Sequence, residues 1–178
     1  MAVDHVKSTA ITNLDASPRV APTAGLGGSA RLHQINGYAT AVASSSADAT
    51  YQLVRVPSDA VIKQIVFESE AQTAGKFDLG VYYASDGSKD GIPTSLLAAA
   101  AIDQDFFATV IDCASAVLET IVTNESATYT LDKRNQPLWQ AVGLSTDPKC
   151  NFDIVATVKT TAVTTGTGKF GISVLFTN

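Results

Sequence analysis

The side chains able to do chemistry are few. The chain holds two histidines, His5 and His33. A serine–histidine–acid site would have to use one of them, and no GxSxG turn supplies the nucleophile. HExxH is absent, as is any His/Cys cluster with zinc spacing. The two cysteines, Cys113 in VIDCASAV and Cys150 in DPKCNFDI, stand in ordinary core or turn contexts. A reduced pair is the expectation, with a disulfide between them the alternative. Asp103, Asp105 and Asp112 cluster in AIDQDFFATVID, and general acid/base pairs are built from such groups. They serve equally well to cap a helix end or to face solvent. No catalytic residue and no cofactor is expected.

Two loops imitate ligand sites. Asp86, Ser88 and Asp90 place oxygen side chains at positions 1, 3 and 5 of a calcium loop, with Gly91 at position 6. Position 12, which needs a bidentate Glu, is Leu97, and position 8 is Pro93. The flanks read as a strand and a loop rather than two helices, so an exposed Gly-rich turn is expected and calcium is only a weak candidate. Thr165 to Lys169, TGTGK, looks superficially like a phosphate loop. The motif needs Gly five residues before the Gly-Lys pair and Ser or Thr after it, and those positions hold Val163 and Phe170.

The bulk composition narrows the class further. A chain of 178 residues makes one ordinary domain, or a domain plus an arm. It is 46% hydrophobic and 16% charged, against a usual charged share of about 25%. A surface so poor in charge must use Ser, Thr, Ala and Gly, and it suits packing against other subunits. The net charge of −5 and the absence of any basic run longer than Lys133-Arg134 argue against nucleic acid as a partner. No apolar stretch reaches the roughly 18 residues of a membrane span, and the first residues lack a signal-peptide core. Synthesis in a host cytoplasm is the matching expectation.

The elements that must carry these residues read as strands. Residues 1–28, with Pro18, Pro22 and three late glycines, suggest an extended N-terminal arm ahead of one β-sandwich domain at 29–178. Such an arm would clasp a neighbouring subunit and could be deleted without unfolding the domain. Asn36-Gly37 between two strand-like runs signals a hairpin. Tyr51 to Tyr83 reads as a three-stranded meander, YQLVRV, AVIKQIVFES and KFDLGVYY. In its second strand apolar residues fall on both faces, and in its third Phe77, Leu79, Val81 and Tyr83 alternate with Lys76, Asp78 and Gly80. Leu96 to Phe107 could form a helix, whereas Thr109 to Val122 is richer in β-branched residues. TYTLDKR (128–134) reads as a strand, and Pro137 and Gly143 bracket a short helix that sets Trp139 in the core. Two alternating strands end the chain, joined by a hairpin loop at TTAVTTGTG. About eight strands with at most one or two short helices make an all-β, antiparallel, jelly-roll-like sandwich.

MAVDHVKSTAITNLDASP at the start, IDQDFFATVIDCASA, and TNESATYTLDKRNQPLWQAVGL together resemble small structural proteins of tailed bacteriophages and prophages. The resemblance implies a virion component. Within that class it implies a decoration or cement protein at the capsid surface, with the major capsid protein as partner and a homo-oligomer, a trimer for preference, as the assembled form. A tail, head-fibre or adaptor subunit is the alternative, and a carbohydrate-binding β-sandwich a further one, for which Trp139, Tyr82 and Tyr83 are the available aromatics. No site residue comes with the resemblance.

Overall fold

The computed structural model describes residues 5–18, 32–43, 45–72, 74–86, 101–159 and 168–178. Within them nine strands form two facing sheets. The first sheet is ordered β1-β3-β8-β5-β6, from β1 (His5–Lys7), β3 (Thr50–Pro57), β8 (Asn151–Val158), β5 (Lys76–Tyr83) and β6 (Ala101–Asp112). The second is ordered β2-β9-β4-β7, from β2 (Leu32–Thr40), β9 (Lys169–Thr177), β4 (Val61–Ser69) and β7 (Val117–Ile121). All pairings are antiparallel except β1 with β3, which is parallel. With β1 set aside, two four-stranded sheets remain, and consecutive strands alternate between them except at β5 and β6, which share a sheet. That is a jelly roll.

This topology decides which turn signals are hairpins. Of the consecutive pairs only β5 and β6 are neighbours in one sheet. The stretch from Tyr51 to Tyr83 does form three strands, yet β4 lies in the sheet opposite β3 and β5, so there is no meander. Likewise β8 and β9 sit in opposite sheets and are not a hairpin pair, and residues 160–167 of the expected loop lie outside the described residues. Asn36-Gly37 is no turn either: β2 runs straight through it, with Asn36 opposite Ser173 and Gly37 opposite Ile172. Glycine is required there for closeness. A Cβ on Gly37 would sit 1.9 Å from the Leu53 carbonyl oxygen of β3, where the two sheets touch.

Two bulges place the side chains. In β4 an extra residue between Ile62 and Gln64 shifts the register against β9. Ile62, Ile65 and Phe67 therefore all turn inward and are fully buried, which accounts for apolar residues at both parities without a second cover. In β3 an extra residue between Gln52 and Val54 does the same. Tyr51, Leu53, Val54 and Val56 enter the core, while Gln52 and Arg55 share the outer face. Between the sheets Phe170 stacks on Phe77 at 4.6 Å and meets Tyr51 edge-on at 5.0 Å. Phe106, Phe107 and Tyr129 form a second cluster, with centroids 5.0 to 5.4 Å apart. Contacts of this kind add about 0.5–1.5 kcal/mol per pair beyond burial.

Three other local expectations are corrected. The helix read into Leu96–Phe107 is strand β6 over its described part, because Phe106, Phe107 and Ala108 bury themselves beside β5. TYTLDKR is a chain of turns ending in a 3-10 helix at Lys133–Asn135; Tyr129 alone is drawn inward, its hydroxyl donating to the Ile62 carbonyl at 2.8 Å. Residues 5–18 do not extend away from the domain. After β1, α1 (Thr9–Asp15) lies on β3, capped by Ser8, whose hydroxyl accepts the Ile11 amide and donates to the Leu53 carbonyl at 2.5 Å. Ile11 is completely buried. Residues 19–31 lie outside the described residues. The expected short helix is present as α2 (Leu138–Ala141), ended by Gly143 at φ +88°, with Trp139 half-buried against the core.

Candidate interaction surface and the buried charge cluster

The outer faces of the two sheets differ in kind. On the first sheet the outward residues of β8, Asp153, Val155 and Thr157, are buried. Strand β6 bulges over β5 here, so that a Cβ on Gly80 would strike the Asp103 and Gln104 carbonyls at 2.2–2.3 Å. Asp78, placed by its parity on the solvent side, is buried as well. It accepts the Val110 amide at 2.8 Å and pairs with Lys159 at 2.7 Å.

The centre of this covered face is Arg55. Its Nε and Nη2 donate to Asp153 Oδ1 and Oδ2 at 2.7 and 3.0 Å, and its Nη1 donates to Asp15 at 2.7 Å. Asp86 stands 3.4 Å from the same Nη1 and accepts Asn151 Nδ2 at 2.8 Å. Lys7 closes the set on Asp15 at 2.7 Å. Gln52 donates to Asp153 at 2.9 Å and to Ser85 at 3.2 Å, but its own Oε1 has no partner. Burial acts to lower the Arg55 guanidinium, and the hydrogen bonds and charges of Asp153 and Asp15 outweigh it, so the group is held above its usual value. Burial pushes the Asp153 carboxyl up; Arg55 pulls it down, and Asp86 and Asp15 push it up again, leaving it raised. The arrangement is a clamp that ties α1 and the start of the segment after β5 to β3 and β8.

Among the described residues nothing covers the second sheet's outer face. Cross-strand rows can be read from the register: Gln34, Leu175 and Gln64; Asn36, Ser173, Val66 and Ile121; Tyr38, Gly171 and Glu68. Together with the bulged β7 they form a groove of about 960 Å³. Tyr38 is 54% exposed, Ile121 59% and Leu118 82%. Apart from Glu68, those cross-strand rows are apolar or uncharged polar. A face with aromatic and aliphatic side chains left in water among few charges suits contact with another protein.

The residues singled out in the sequence are scattered. His33 stacks on Phe176 at 5.3 Å, and His5 lies in β1, in the other sheet. Asp103 accepts the Asp105 amide at 3.3 Å, whereas Asp112 accepts the Ala114 amide at 2.9 Å and stands 3.7 Å from Lys76. Burial and the Asp105 carboxyl raise Asp103. Of the calcium-loop residues, Asp86 belongs to the Arg55 cluster; Ser88 and Asp90 lie outside the described residues. Among the described residues no group of His, Cys, Asp or Glu has metal-site geometry, and no helix is long and apolar enough to cross a membrane. Cys113 and Cys150 are both buried and not bonded to each other, and burial pushes the Cys113 thiol up to about 11. Tyr82 is fully buried and shares a 2.8 Å hydrogen bond with Thr157, and Tyr83 packs on Phe152, so they offer no aromatic platform for a sugar. Reading residue types alone missed the clamp. Its signal was there: one charge inside each of two apolar strands, Arg55 in YQLVRV and Asp153 in NFDIVATV, of opposite sign.

No family model matches the chain, and no curated protein does. Among solved structures, a chain in the capsid of Ralstonia phage GP4 matches with a TM-score of 0.62 at 13% identity, covering 97% of this chain and 97% of that chain. A chain of the cyanophage Pam1 capsid asymmetric unit covers 91% of this chain and 95% of that one, at a TM-score of 0.47 and 11% identity. The first likeness is one of fold. The protein is an all-β jelly-roll sandwich, of a build shared end to end with a chain found in a phage capsid.

Proposed function

We propose that this chain is a non-enzymatic structural protein of a tailed-bacteriophage virion, which binds the outside of the assembled capsid as a homo-oligomer and reinforces it. The end-to-end fold agreement with the chain in the Ralstonia phage GP4 capsid carries the reading. The open face of the second sheet supports it by offering a contact surface. The partner is the major capsid protein, and a trimer is the expected assembly. Reinforcement then works by mass action. A ligand that binds only the assembled lattice stabilises it by RT ln(1 + [L]/Kd), about 2.7 kcal/mol per site at about a hundredfold excess over Kd. Mass spectrometry of purified virions followed by cryo-electron microscopy tests the reading. The expected result is the protein in stoichiometric amount and density for its sandwich over the head lattice. Density at the tail or head fibre would make it another virion component, and absence from purified particles would overturn the proposal.

A further inference from the structure

The groove on the second sheet has a chemistry of its own. Its apolar residues, Val66, Leu118 and Ile121, lie beside two carboxylates, Glu68 and Glu119, that make no hydrogen bond or ion pair among the described residues. The groove's lysine, Lys169, does not neutralise them: its Nζ lies 5.9 Å above the Tyr38 ring. The shape has a local cause. Strand β7 pairs with β4 through a register shift between Phe67 and Ser69, and Glu119 takes a positive φ of 38° at that point. The bulge turns Leu118 outward and spoils β7 as an edge for strand addition. On the β7 side a partner therefore meets the face of the sheet, not its edge.

We infer that this face is the docking surface for a basic, apolar segment of another protein, one that sets aliphatic side chains against Leu118, Ile121 and Val66 and places Lys or Arg beside Glu68 and Glu119. A second copy of this chain fits poorly. A two-fold contact of this face with itself would set two surfaces of the same sign together, each carrying Glu68, Glu70 and Glu119 against Lys169, and like charges so juxtaposed oppose association. The proposed virion role supplies the setting, with the segment belonging to the capsid lattice; the chemistry of the groove rests on the residues named here.

The test uses the full chain and two synthetic seven-residue peptides, one alternating Lys with Val and one alternating Glu with Val, titrated by fluorescence anisotropy. The Lys–Val peptide should bind and the Glu–Val peptide should not. Leu118→Asp should weaken binding at least tenfold, about 1.4 kcal/mol, and the double variant Glu68→Lys/Glu119→Lys should reverse the peptide preference. All three positions are exposed, so circular dichroism should show each variant folded. Equal binding of both peptides, or unchanged binding by the folded variants, overturns the inference. So does a wild-type dimer that Leu118→Asp dissociates in analytical ultracentrifugation, which would make a second copy the occupant. None of these measurements needs a virion, so their failure leaves the virion reading to be decided by the particle experiment.

Discussion

Replacing Arg55 by Met leaves its hydrophobic length and takes away the charge that three carboxylates share. Asp153 is completely buried, and its two oxygens would lose the paired bonds at 2.7 and 3.0 Å. Breaking a buried ion pair by removing one partner costs about 3–5 kcal/mol, since the other charge stays buried and uncompensated. In a chain of this length, with about 2–4 °C per kcal/mol, the melting temperature should fall by about 6–20 °C. Removing both charges, as in Arg55→Met/Asp153→Leu, should recover most of the loss. The pH dependence has a definite sign. The Asp153 carboxyl is already raised in the native protein, and without Arg55 it rises further. A carboxyl with its folded pKa above the unfolded value of about 3.9 stabilises the protein most below that value. That contribution is lost as pH rises through the folded pKa. The deficit of Arg55→Met against wild type should therefore shrink between about pH 7 and about pH 5 in urea titrations. A deficit under about 1 kcal/mol at neutral pH, or one that does not shrink on acidification, refutes the desolvated clamp.

Two further changes probe how the chain is held together. Ile11→Ala should destabilise by about 2–5 kcal/mol in a urea titration, as expected for a wholly buried side chain, whereas a dispensable arm would lose almost nothing. Gly37→Ala should lower the melting temperature by the equivalent of at least about 1–3 kcal/mol, because its methyl group meets the rigid Leu53 carbonyl rather than a side chain able to move; an unchanged melting curve would mean the sheets do not touch there.

The class of fold was legible because it depends on alternation, and alternation is local. Phe152, Ile154, Ala156 and Val158, or Phe170, Ile172, Val174 and Phe176, identify their strands and inner faces without help. Partnership was not legible. A turn signal says that the chain reverses, and in a jelly roll most reversals carry it across to the other sheet, so the meander at 51–83 and the hairpin before Phe170 were natural misreadings. Asn36-Gly37 failed for a different reason: its glycine answers a contact 16 residues away in the chain, at Leu53. Residues 5–18 failed because the helical spacing of Ser8, Ile11 and Asp15 carries one apolar residue among the three, while Ser8 and Asp15 are fixed by Leu53 and Arg55 of β3. The open face of the second sheet was hidden too, since Leu118 reaches it only through the bulge in β7.

These placements move the point of contact. An adhesive arm would have left the sandwich bare on both sides and carried the binding residues ahead of it. Instead, residues 5–18 help to close the first sheet, where Lys7 and Asp15 complete a charge cluster that is closed off by the chain itself. A face whose charges are matched internally and whose strands are covered has little left to offer a partner. The second sheet is the reverse: its inner residues fill the core, while outside it keeps Tyr38, Leu118 and Ile121 in water beside two unmatched glutamates. Burying such side chains is favourable at about 25 cal/mol per Å², and nothing in the described residues does so. If the chain reinforces a shell, the gain must come chiefly from that face, with its sign of charge choosing the partner.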